Sequence, residues 1–179
     1  LFHDIGKTVT RSVTPTGVHF YGHEMEGEKI AEDVMRRLKY PTELIDAVKK
    51  GVRNHMRLKS AGDTGVNLSD KALRKFKIDI GEQLEDLLSV MHADNTAHAS
   101  ASSMPNQITN IRKRLETLSM NMGNGKPKLP ITGNDLQQLG LKPGPVFSEI
   151  MKAVTEAWFE NPNVSKDEAL EIARKVANI

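Results

Sequence analysis

Apolar side chains recur at three- and four-residue spacing along most of this chain, a period that predicts helices rather than strands. Ile30, Ala31, Val34, Met35 and Leu38 keep it over a helix from about Gly22 to Lys39. Pro41 forces a break, and Thr42 is placed to cap a second helix with the stripe Leu44, Ile45, Val48 and Val52. Ser69 caps a short helix carrying Leu73 and Phe76, and a longer one from Gly81 to about His98 turns Leu84, Leu87, Leu88 and Met91 inward. Ile108, Ile111, Leu115 and Leu118 mark another helix.

Between these segments, residues 8–22 and 59–68 are polar and glycine-containing and read as loops. Residues 121–130 read as a linker. Beyond it, Thr132 with Asp135 and Ser165 with Glu168 form capping boxes, and Pro145 suits the first turn of a helix carrying Phe147, Ile150, Met151, Val154 and Trp158. Leu170, Ala173 and Val176 follow on the last helix. The expected fold is all-α: a bundle over 1–120, a linker over 121–130, and a C-terminal helical lobe over 131–179. Phe147, Ile150, Val154 and Trp158 are expected to pack that lobe on the bundle.

Composition narrows the chemistry. The 179 residues hold 25 basic and 23 acidic side chains, a net charge of +2, so any nucleic-acid surface must be local. Aromatic residues make up 4%, which leaves the core to aliphatic side chains and methionine. The absence of cysteine excludes disulfides, thiolate metal sites and cysteine nucleophiles, and it fits a cytoplasmic location. No apolar run reaches membrane-spanning length, and no signal peptide is visible. The chain opens with Leu1 inside a motif, as a fragment of a longer protein would.

That motif is Leu1-Phe2-His3-Asp4-Ile5-Gly6-Lys7, read as a helix end broken at Gly6. A neutral imidazole nitrogen beside a carboxylate suits Mn, Fe, Co, Ni or Zn better than Mg alone. Three further positions interrupt apolar patterns. His55 follows Val48 by seven residues and Val52 by three; Asp94 stands in the same relation to Leu87 and Met91; His23 heads its helix. A buried carboxylate needs a cation, a salt-bridge partner such as an arginine, or strong donors; with five such groups in one small bundle, His3, Asp4, His23, His55 and Asp94 are expected to converge on one or two divalent ions. On that expectation, Asp94→Asn leaves the cation-free fold as stable as before or more so. His19, His92 and His98 are weaker candidates. His23-Glu24 is no zinc-protease motif, since position 27 is Gly where a second His is required.

The segments LFHDIGK (1–7), GHE (22–24), Asn54-His55-Met56 and Ala93-Asp94 resemble the HD superfamily of metal-dependent phosphohydrolases. HFYGHEMEGEKIAEDVMRRLKYP (19–41) and ITGNDLQQLGLKPGPVFSEIM (131–151) are similar, more narrowly, to the HD domain and following segment of bacterial tRNA nucleotidyltransferases, the CCA-adding enzymes, and their poly(A) polymerase relatives. The resemblance implies a helical fold and metal-assisted attack on phosphate esters. It implies metal ligation by His3, Asp4 and Asp94, with His23 and His55 matching the further histidines of some members. Magnesium remains admissible under it. The family's first ligating histidine lies upstream of the His-Asp pair, where this chain does not reach, and no nucleotidyltransferase head is present.

Two functions follow as expectations. One is a phosphohydrolase acting on phosphate esters or nucleotides, with catalytic His3 and Asp4 and with Lys7 on a substrate phosphate. The other is a non-catalytic RNA-binding or structural module supporting a CCA-adding enzyme. There Arg112, Lys113, Arg114, Lys126, Lys128 and Lys142 would contact tRNA phosphates.

Overall fold

The computed structural model describes residues 1–99, 102–122 and 127–179, with 119–122 described by their backbone alone. In chain order it holds α1 (Lys7–Thr10), β1 (Ser12–Thr14), β2 (Gly17–His19), α2 (His23–Arg37), α3 (Thr42–Asn54), α4 (Asp70–Ile80), α5 (Leu84–Ala97), α6 (Gln107–Met122), α7 (Gly133–Gln138), α8 (Pro145–Glu160) and α9 (Lys166–Ala177). The all-α expectation holds, with one exception. Within the segment read as a loop, β1 and β2 pair antiparallel, Ser12 opposite His19 and Thr14 opposite Gly17. Ser, Thr, Gly and Pro hide so short a hairpin from any periodicity, and its strands lie mostly exposed. Among the described residues no helix is long and apolar enough to cross a membrane.

Contacts divide the chain into two units: Leu1–Leu68 with Ile80–Arg112, and Ser69–Asp79 with Lys113–Ile179. The sequence division at residue 120 follows chain order, whereas contacts group 69–79 with the C-terminal part. Arg74 donates to the Phe159 carbonyl at 2.8 Å, and Lys71 and Lys75 pair with Glu156. Of the expected linker, residues 123–126 lie outside the described residues, and α6 runs on to Met122.

In the first unit Ala31, Met35, Ile45, Val52, Leu58, Leu87, Leu88 and Met91 are buried. Leu38 and Leu44, expected on apolar stripes, are exposed. Thr42 does not cap α3: Pro41 holds the N-cap position, and Thr42 is already helical. Ser69 does cap α4, accepting from the Ala72 amide at 3.2 Å. In the second unit Ile131, Leu136, Ile150, Val154, Ala169 and Ala173 form one core cluster, with Phe147 packed against it. Ile150 and Val154, expected to face the bundle, thus fill the core of their own unit. Both capping boxes are present, at Thr132–Asp135 and Ser165–Glu168.

Candidate metal centre

The N-terminal turn carries His3 and Asp4 against the start of α2. Gly6 does not end a helix, since it immediately precedes α1 with φ −66. It is required for contact instead. A Cβ there would lie 2.0 Å from the His23 carbonyl oxygen and 2.6 Å from the Gly27 nitrogen, both backbone atoms. Gly22, at φ +73, takes the left-handed turn that launches α2 with His23 at its head. His55 follows the last residue of α3 and Asp94 lies near the end of α5, so turns and helix ends supply every member of the group.

The five predicted residues meet. Nε2 of His3 lies 3.5 Å from Asp4 Oδ2 and 3.5 Å from Asp94 Oδ1. Asp4 Oδ1 lies 3.4 Å from Nε2 of His23 and 3.6 Å from Nε2 of His55, and these two nitrogens are 3.1 Å apart. The ligand atoms form two groups, Asp4–His23–His55 and His3–Asp4–Asp94, which share Asp4.

The protons explain why this packing is unusual. His23 Nδ1 is 2.9 Å from the Phe20 carbonyl and His55 Nδ1 is 2.6 Å from the Val52 carbonyl. A carbonyl only accepts, so each Nδ1 carries a proton, and in the neutral ring each Nε2 presents a lone pair. Two such lone pairs and a carboxylate oxygen then face one another without a proton to share. A cation at the usual bond length of about 2.0–2.2 Å from each donor sets donor–donor edges of about 2.8–3.6 Å, from octahedral to tetrahedral geometry. The distances found here match those edges, and the mixed nitrogen and oxygen set suits a divalent transition ion.

Burial pushes the pKa of His55 down and keeps the ring neutral; the neighbouring His23 and His3 act the same way, against the Val52 carbonyl. Burial works against the Asp4 carboxylate, but the Lys7 ammonium, 2.6 Å away, outweighs it and holds the carboxyl below its usual range. At Asp94 burial is likewise overcome, here by Lys59 at 2.7 Å and by His98 and His3.

Lys59 is the residue that sequence reasoning missed. It was placed in a polar loop, yet its ammonium bridges Asp94 and Asn95 Oδ1, the latter at 2.8 Å. Asp94 is therefore a partnered carboxylate even without a cation, which removes the ground for expecting Asp94→Asn to relieve the cation-free fold. The fully buried member of this stretch is its neighbour Asn95, whose amide donates to Gln107 Oε1 at 2.8 Å. His98 stands 3.6 Å from Asp94 Oδ1, whereas His92 joins neither group and its buried Nδ1 has no hydrogen-bond partner among the described residues.

The basic candidates fare differently. Arg112 is bound to Glu85 and Ser89, and Arg114 to Asp70. Lys113, Lys128 and Lys142 are exposed, and Lys126 lies outside the described residues.

A mostly helical chain with three imidazoles and two carboxylates gathered at turns and helix ends defines the class. Its family follows from comparison. The family model of tRNA nucleotidyltransferase domain 2 matches residues 21–173, and the chain belongs to that family. It is 31% identical over 174 residues to a CC-adding tRNA nucleotidyltransferase of Thermus thermophilus, covering 94% of this chain and 37% of the relative. It is 30% identical over 162 residues to an A-adding tRNA nucleotidyltransferase of Deinococcus radiodurans, covering 88% of this chain and 36% of the relative. The chain thus spans little more than a third of these relatives. No solved structure matches. The family match begins after His3 and Asp4.

Proposed function

We propose that the first unit is an HD-type phosphohydrolase domain that hydrolyses phosphate esters with the help of one or two divalent cations, and that it belongs to a longer tRNA nucleotidyltransferase-like protein. The observation that carries this reading is the convergence of lone-pair donors at edges of 3.1–3.6 Å around Asp4. A bound divalent ion of the Mn, Fe, Co, Ni or Zn type, or magnesium, supplies Lewis acidity toward water and the phosphoryl oxygens. The protein's own groups do the rest. Carbonyl bonds from Phe20 and Val52 hold His23 and His55 in the ligating tautomer. Asp4 belongs to both donor groups and links them. Lys7 has N–H donors beyond the one given to Asp4, and in this reading they serve a substrate phosphate.

The test is direct. The chain is stripped with chelator, dialysed against manganese, and assayed for bound metal and for hydrolysis of simple phosphate esters. Retention of metal by the wild type, with its loss in Asp94→Asn and His55→Ala, is expected. Absence of both retained metal and hydrolysis overturns the reading.

A second reading is favoured by the names of the relatives, which are tRNA nucleotidyltransferases. In it the chain is a non-catalytic module that supports CCA addition, with Lys113, Lys128 and Lys142 available to tRNA phosphates. Tight tRNA binding by a chain that retains no metal would select it.

A further inference from the structure

We infer that the cleft over the cluster is a nucleotide subsite, in which Tyr21 stacks a nucleobase while Lys7 and Lys59 meet its phosphate. The phosphate end of this assignment rests on the proposed function above; the base end stands on its own observation.

The cleft has a volume of about 500 Å³ and is open to solvent, lined by Asp4, Lys7, Lys59 and Asp94 and by the segment from Val18 to Glu24. Tyr21 lines that cleft and is 77% exposed, so its ring is available to a ligand there. It is not loosely held. Its ring stacks on His19 with centroids 5.1 Å apart and planes 9° from parallel. Its hydroxyl lies 3.2 Å from His19 Nδ1, and His19 Nε2 is in turn 2.9 Å from the Thr14 hydroxyl and 3.1 Å from that of Thr16. The β1–β2 hairpin therefore fixes one face of the tyrosine against a second ring and leaves the other toward solvent.

Tyr21 and His23 are two positions apart in the chain, so their Cα atoms lie within about 7 Å. Tyr21 also lines the same cleft as Asp4, Lys7, His23 and Lys59, which brings the phosphate of a nucleotide stacked on it within reach of the cluster. Both ammonium groups in the cleft keep unused N–H donors among the described residues, since Lys7 gives one to Asp4 and Lys59 gives one each to Asp94 and Asn95. A flat aromatic face reads any base, because every base has a π-face; a sugar phosphate without a base gains nothing from it.

The experiment compares a nucleoside 5′-monophosphate with ribose 5-phosphate, binding measured calorimetrically with chelator present and again with manganese. Wild type is expected to bind the nucleotide about tenfold more tightly than the sugar phosphate. Tyr21→Ala abolishes that difference, Tyr21→Phe keeps it, and both leave the far-UV circular dichroism unchanged, as befits an exposed side chain. Equal affinity of wild type for the two ligands, or a base preference that survives Tyr21→Ala, overturns the inference. A hexaribonucleotide ending in a 3′-phosphate forms the last arm. Tighter binding than the mononucleotide assigns the site to an RNA end, and equal binding assigns it to a free nucleotide. The base preference in chelator is independent of metal. A protein that binds bases yet retains no metal and hydrolyses nothing therefore refutes the proposed hydrolase and leaves the base subsite standing.

Discussion

The His/Asp cluster of the first unit and the core of the second are opposite solutions to burial. In the second unit the polar groups at the helix starts are matched locally. Asp135 accepts from Thr132 at 2.7 Å and pairs with Lys166, and Glu168 and Ser165 exchange bonds across a helix start. Ile131, Leu136, Ile150 and Val154 lie below at 1% exposure or less. In the cluster, three lone-pair donors are crowded together, and the carboxylates lean on Lys7 and on Lys59 from a distant part of the chain. A region optimised for packing satisfies every local rule, whereas one that binds something leaves a rule unsatisfied.

The comparison breaks most visibly where packing is everything. Ile150→Ala should lower stability by about 2–5 kcal/mol through the lost apolar transfer and the cavity left behind. The loss should appear in the fluorescence of Trp158, the protein's one tryptophan, and should leave metal retention by the folded protein unchanged. Loss of metal in that variant would tie the two regions together.

Next in size is Gly6→Ala. The new Cβ meets backbone at 2.0 and 2.6 Å, atoms that cannot rotate away. The N-terminal turn must lift from α2, costing about 1–3 kcal/mol and carrying Asp4 away from His23 and His55. Metal retention should fall much further than the melting temperature does. Full metal affinity in the Gly6→Ala variant would show that the close approach of Gly6 does not place Asp4.

The fold was legible because its signals are local. Capping boxes, the Pro145 helix start and the Leu87–Leu88–Met91 stripe are written within a few residues of one another. The convergence of His3, Asp4, His23, His55 and Asp94 was legible as well, since each breaks an apolar pattern or sits at a helix end. What stayed hidden is pairing across distance. Lys59 and Asp94 are 35 residues apart, and nothing in a polar loop says which carboxylate its lysine will meet. Leu44 and Val48 keep a helical stripe, yet the groove they line, about 340 Å³, is open. Periodicity tells which face is apolar but not what covers it.

Lys59 also changes the sign expected for Asp94→Asn. With an unpartnered carboxylate the substitution would relieve the cation-free protein. With Lys59 at 2.7 Å and the Asp94 side chain 15% exposed, it removes a charged hydrogen bond and should cost about 1 kcal/mol in chelator. Lys59→Met should cost a similar amount, and the double variant less than the sum. Strict additivity would mean that the pair contributes nothing in solution.

The smallest effect separates the two regions by pH. His55 is held below its ordinary pKa, so its unfolded form binds a proton first. The stability it contributes is complete above the unfolded value of about 6.5 and is lost as pH falls from there toward the folded value. The depressed groups of the second unit are carboxylates: Asp135, lowered by Lys166 and Thr132, Glu156, lowered by Lys75 and Lys71, and Glu168, lowered by Ser165. Their contribution is complete above their unfolded values of about 4 and is lost only below them. Between pH 8 and 5, in chelator, hydrogen exchange in α2 and α3 should therefore accelerate while Trp158 fluorescence holds steady. His55→Gln removes the titrating ring from a site that is 2% exposed and should flatten that acid slope, with little change in exchange at pH 8. If the slope survives in His55→Gln, the acid sensitivity of the first unit lies in another group, and the contrast between a cluster that is soft to protons and a core indifferent to them does not rest on His55.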